Sequence, residues 1–207
     1  MRDVTAGREP GNAPGSGLAG LRIVHTYRND MFPLRIVRID ENPGAEGADD
    51  VVARLAAAHV RIRSYLLEAQ KLADGEGTPE RRRASARAVL DFFRFALPLH
   101  EADEDASIVP RLYDRTGELT PAALARMEEH GLIDEAVDVL AEDWERWAES
   151  GMAPAQNIDA HRALLGDLAA ALDRHLRAEE RALFPAVAAL DAETRREIVR
   201  EMEERRR

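Results

Sequence analysis

The sequence predicts an all-α protein: an up-down-up-down four-helix bundle with a short N-terminal extension and a short C-terminal helix. Three observations carry this reading. From Asp49 onward, apolar residues recur three and four apart in a chain rich in Ala, Leu, Arg and Glu. Start and stop signals divide that stretch into four long segments joined by short breaks. The stretch also repeats itself, so two helical hairpins each need the other's apolar face.

Residues 1–20 are rich in Gly, Pro, Ala and polar residues and read as a tail. Residues 21–48 form an extension. Within it, 21–27 and 34–39 carry β-branched residues in partial alternation, so a small β-hairpin is the candidate element. Asn42-Pro43-Gly44 ends the region. The bundle spans 49–190. Its first helix covers 49–73, with Asp49 or Asp50 as N-cap and Gly75 past the end. Thr78-Pro79-Glu80 opens the second, an N-cap followed by proline at the first helical position. That helix runs to about residue 113, with a kink expected at Pro98. Thr120-Pro121 opens the third, over 121–149, and residues 151–154 break the chain. The fourth covers 158–189. Asp191 caps a charged segment, 191–207, that reads as a short, fraying helix.

The chain has 207 residues, which favours one domain with a large core. It has no cysteine, which excludes disulfides, thiolate metal sites and thiol catalysis. Any metal must be held by nitrogen and oxygen, from six histidines and 39 acids. A net charge of -10 and a pI near 5.2 argue against nucleic acid or an anionic membrane surface as partners. No run approaches the ~18 apolar residues of a membrane span, and no signal-peptide core stands at the N-terminus. A cytoplasmic protein is the expectation.

The repeat carries the chemistry. His100-Glu-Ala-Asp-Glu104-Asp-Ala-Ser-Ile-Val-Pro110 aligns without gaps on His175-Leu-Arg-Ala-Glu179-Glu-Arg-Ala-Leu-Phe-Pro185, 75 residues later. Each copy follows a helix with one central histidine, His59 or His130. Residues four apart on a helix differ by about 40° in azimuth and about 6 Å in height. His100 and Glu104 therefore address one volume, and so do His175 and Glu179. Two such helices face to face, with His59 and His130 opposite, make a box of four histidines and two carboxylates that suits two metal ions. Counted from the helix ends, His130 and His175 fall at one level. His59 and His100 fall roughly 10 Å apart, an offset for the Pro98 kink, a late helix start or an overhanging turn to absorb.

His59, His100-x-x-x-Glu104, His130 and His175-x-x-x-Glu179-Glu resemble the hemerythrin-like, or HHE cation-binding, domain over about residues 49–190. The "Glu-Glu…Leu-Phe-Pro" ending at Pro185 is similar to that family's last helix. The resemblance implies a non-haem di-iron centre bridged by Glu104, Glu179 and an exogenous oxo or hydroxo group. One iron would take His59 and His100 and the other His130 and His175, with swapped assignments open. Mn or Zn would suit the same donors. Oxygen-carrying members have a further histidine four places after the helix-3 ligand, where this chain has Asp134. Glu101 and Asp134 are candidates for an added ligand or for supporting the ligands.

Three functions follow as expectations. One is a protein that binds or senses small ligands (O2, NO, peroxide) or iron. The second is a di-iron enzyme that scavenges peroxide or NO, or oxygenates an organic substrate. The third is a metal-free helical interaction module. A homodimer is compatible with each.

Other residues read more plainly. His161 lies about 21 Å along the helix from His175 and reads as structural, as does His25. Asp103, Asp105 and Glu180 read as helix-face charges or as partners of ligand imidazoles. Trp144, Trp147, Phe92, Phe93, Phe95 and Phe184 read as core or interface. The arginine runs at 81–83 and 205–207 read as solvated faces.

Overall fold

A computed structural model describes residues 50–116, 121–152 and 157–207. The hairpin expected within 21–39, and His25, lie outside the described residues. The elements are α1 (Val51–Ala73), α2 (Pro79–Asp91), a π-helical turn (Phe92–Ala96), α3 (Leu97–Ala102), a second π-helical turn (Asp103–Ile108) and α4 (Val109–Thr116). Then come α5 (Pro121–Ser150), α6 (Ile158–Ala188) and α7 (Ala192–Glu204). No strand occurs among the described residues. Helices α2 to α4 run on without a break as one rod. This rod, α1, α5 and α6 are the four members of the bundle. Helix α1 packs on α2 and α6, and α5 on the same two, which closes the ring.

The ends form where the capping residues stand. The Asp50 carboxylate accepts the Val52 N–H at 2.9 Å, and the Thr78 hydroxyl accepts that of Arg81 at 3.3 Å ahead of Pro79. The Asp191 carboxylate takes the N–H groups of Glu193 and Thr194 at the start of α7. Gly151 ends α5 at φ +70°, and a Cβ there would lie 2.4 Å from the Pro79 carbonyl oxygen. Only glycine fits this approach of the α5 terminus to the start of α2.

Pro98 takes a form the apolar period does not announce. A proline inside a helix has no N–H and crowds the carbonyl four residues back. The turn before it widens, with the Leu97 N–H bonded to the Phe92 carbonyl, five residues back. A second wide turn follows, where the Val109 N–H reaches the carbonyl of Glu104.

Apolar residues bury in two clusters. The larger holds Phe93, Trp144 and Trp147 among leucines and isoleucines of α1, α5 and α6. The smaller joins Val51, Leu55, Ile108, Leu183 and Val187 to Ile198, Val199 and Met202 of α7. Along α1, Ile62 belongs to the first and Leu55 to the second, with His59 between them. Phe95, by contrast, is exposed.

Two expectations for the arginine runs need correction. The 205–207 run is not a solvated face: Arg205 and Arg206, just past the end of α7, bond the buried carboxylate of Asp103. In the 81–83 run, Arg82 donates to the carbonyls of Gly75, Gly77 and Gly151, tying the α1–α2 turn to the end of α5. Each carbonyl lies on another segment of chain, so local charge density does not reveal the partner.

Candidate metal centre

The six repeat residues converge. His59, His100, His130, His175, Glu104 and Glu179 are all buried, and none is more than 5% exposed. They form two overlapping groups. His59, His100, Glu104 and Glu179 make one, and Glu104, His130, His175 and Glu179 make the other; in each, one donor atom per residue lies within 4.8 Å of all the rest. Both carboxylates belong to both groups.

The carboxylates divide their oxygens between the halves. Glu179 Oε2 lies 3.3 Å from His59 Nε2, and its Oε1 lies 3.1 Å from His175 Nε2. Glu104 Oε1 lies 3.6 Å from His100 Nε2, and its Oε2 lies 3.8 Å from His130 Nε2. A carboxylate so placed can give one oxygen to each of two ions.

The rings of His59 and His100 stand edge to face with centroids 5.2 Å apart, so the level offset expected from residue counting closes. Helical side chains lean toward their own N-terminus. In antiparallel rods the two rings therefore lean toward each other. The wide turn at Phe92–Ala96 also adds a residue to the rod before His100.

Carboxylates outside the box set the ring orientations. His59 Nδ1 bonds Glu180 Oε1 at 3.0 Å, His130 Nδ1 bonds Asp105 Oδ2 at 3.1 Å, and His175 Nδ1 bonds Glu129 Oε2 at 2.8 Å. With a proton on Nδ1, each Nε2 turns inward with its lone pair available to a cation. The first two bonds cross the repeat: the acid after the shared glutamate in each copy holds the central histidine of the other. Phe184 packs on the His59 ring at 4.9 Å.

Electrostatics favour the same use. Burial, with help from the neighbouring His59, His175 and His130, lowers the pKa of His100 to about 3 and keeps it neutral. Burial opposes charge on Glu179, yet the adjacent His175 and His59 outweigh it and hold the carboxyl below its usual range. Burial likewise opposes charge on His175, but Glu179 and Glu129 prevail and raise it. The Nε2 atoms of His59 and His100 are buried without a hydrogen-bond partner. Such atoms are costly in a dry interior unless a cation takes them. His130 Nε2 and His175 Nε2 stand 3.1 Å apart. Two nitrogens bound cis to one ion at about 2.1 Å are separated by about 3 Å. The donors therefore fit a bound metal.

Glu101 and Asp134 fall outside both groups. Glu101 is buried, its Oε1 lacks a hydrogen-bond partner, and burial followed by the charge of Asp134 pushes its pKa up to about 8. Asp134 is exposed. His161 is buried away from the cluster, bonded to Asp143 at 2.8 Å and packed on Trp147. Sequence reasoning missed Glu129; its place directly before His130 was the available signal.

The fold and these side chains define a four-helix bundle with buried His/Glu groups able to hold metal. The hemerythrin HHE cation-binding domain model matches residues 50–187, and the chain belongs to that family. No curated protein and no solved structure matches it. No described helix is long and apolar enough to cross a membrane.

Proposed function

We propose that this chain is a non-haem di-iron protein that binds or senses a small ligand such as O2, NO or peroxide, or holds iron itself. One observation carries the reading: Glu104 and Glu179 each point one oxygen at each histidine pair. One ion takes His59 and His100, the other His130 and His175, and both carboxylates bridge. Bound, the pair would supply redox-active ions with a coordination position left for the small ligand. The chain's own work is to aim the imidazoles, through Glu180, Asp105 and Glu129, and to keep bulk water out.

Glu101 is the candidate for an added ligand, because it is buried with an oxygen lacking a hydrogen bond. Asp134 stands where carriers have histidine, so this centre has fewer nitrogen donors than a carrier's. That favours sensing, storage or turnover over reversible transport. Mn and Zn suit the same donors, and metal analysis decides among them.

The test is metal analysis of the purified protein with optical spectra before and after oxygen. Two irons per chain and near-ultraviolet charge-transfer bands are expected. A chain that takes up no transition metal at saturation would overturn the reading. Consumption of peroxide, NO or oxygen over many cycles would assign an enzyme instead.

A further inference from the structure

Helix α7 lies beyond residues 50–187, the stretch matched to the family. It nevertheless reaches the back of the candidate centre. The wide turn Asp103–Ile108 carries Glu104 on its inner side and Asp103 and Ser107 toward α7. Asp103 is 1% exposed. Its Oδ1 accepts from Arg205 at 2.8 Å and from Arg206 at 3.1 Å, and its Oδ2 accepts from Arg206 at 2.5 Å. Arg205 also donates to the Ser107 hydroxyl. The Ser107 carbonyl accepts from Arg111 at 2.7 Å, and Arg111 is paired with Glu201 of α7 at 2.7 Å. Both flanks of Glu104 are thus gripped by the two arginines that close the end of α7 or by a group tied to α7.

The grip falls on an unusual piece of backbone. A π turn is rare and short, and regular α-helix is its default competitor. Reversion to α geometry would expel one residue and turn the following side chains by about 100°. Glu104 must keep a definite azimuth to show one oxygen to His100 and the other to His130. A buried carboxylate held by two guanidinium groups is a directional fastening, since paired donors fix angle as well as distance. Its loss would also strand a buried charge.

We propose that α7 is a positioning element for the metal centre. Arg205 and Arg206, through Asp103 and Ser107, hold the π turn in the register that presents both Glu104 oxygens to the two histidine pairs. The inference rests on the metal-binding reading for its consequence, and on the hydrogen-bond geometry for its cause.

The test uses the full chain and compares Arg205→Ala/Arg206→Ala with Glu203→Gln. The latter weakens another attachment of α7, the 2.6 Å pair of Glu203 with Arg54. Amide hydrogen exchange of the metal-free protein reads the turn directly, and titration with Co2+ reads the site by stoichiometry and visible absorption. In the double variant, exchange over 103–108 should rise at least tenfold. The second Co2+ should bind at least tenfold more weakly, with an altered spectrum, while Glu203→Gln stays within twofold of the parent. Parental exchange and Co2+ binding in the double variant would overturn the proposal. So would equal losses in Glu203→Gln, which would reduce α7 to general packing. If the double variant does not fold, Arg206→Lys keeps the charge without the paired bonds. The same spectral change at smaller amplitude supports the proposal, and an unchanged spectrum overturns it. A parent that binds no Co2+ would sink the metal reading alone, and exchange would still decide whether the arginines hold the turn.

Discussion

His130 Nε2 and His175 Nε2 face each other at 3.1 Å, although their Nδ1 atoms are each bonded to a carboxylate, Asp105 and Glu129. Two imidazoles oriented this way turn lone pairs toward one point. A proton can occupy that point, and so can a metal ion with Glu104 and Glu179 beside it. A proton and a bound ion would therefore compete for the same two nitrogens.

Removal of a shared carboxylate should cost an ion. Glu104→Ala and Glu179→Ala should each lower bound metal from two ions per chain to one or none, measured by elemental analysis after desalting. Truncation of Glu101 should leave at least one ion in place. Full occupancy in either glutamate variant would count against bridging.

The outer carboxylates should tune affinity without changing the ligands. Glu129→Gln and Glu180→Gln remove the charged partners of His175 and His59 and leave an amide of similar shape. Loss of such partners typically weakens metal binding by about 10–100-fold. Competition with a chelator should show that loss while helicity is unchanged. The two effects should not simply add, since His59 and His175 both lie against Glu179.

Much of this was legible in the sequence. The caps at Asp50, Thr78 and Asp191 sit where side-chain oxygens precede apolar periods, and the i, i+4 pairing of His100 with Glu104 places both on one face whatever surrounds them. The two wide turns were not legible, because the apolar period records which face is buried and not which carbonyl an N–H reaches. Arg205 and Arg206 look like a solvated run until Asp103, about a hundred positions earlier, is known to lie against them. Glu129 stands directly before His130, but its partner is His175, so its role depends on how α5 approaches α6.

Gly151 gives a test of the fold that does not involve metal. Gly151→Ala must adopt φ near +70° and place a methyl group 2.4 Å from the Pro79 carbonyl oxygen. The backbone conformation alone costs about 1–3 kcal/mol, and the clash with main chain adds to it. Urea unfolding of the metal-free protein should show a lower midpoint at unchanged slope. A midpoint equal to that of the parent would mean α5 does not end against α2 as described.

Proton competition sets the pH dependence. In the metal-free protein His100 resists protonation down to about 3, while an unfolded histidine titrates near 6.5. Between those values the unfolded chain binds the extra proton, so this residue's contribution to stability is complete above 6.5 and falls as the pH drops. The slope approaches about 1.4 kcal/mol per pH unit. His175 has the opposite sign: its pKa is raised, so its contribution is complete below 6.5 and fades as the pH rises through the folded value. Urea midpoints of His100→Asn and the parent, compared from pH 7 to pH 4, should converge as the pH falls; parallel curves would refute a buried neutral His100. Metal uptake at His175 would also expel the proton that its raised pKa favours. Titration in weak buffer should therefore release protons, and apparent affinity should fall as the pH drops through the raised pKa of His175. Affinity independent of pH across that range would show that the proton and the ion do not compete for the nitrogen facing His130.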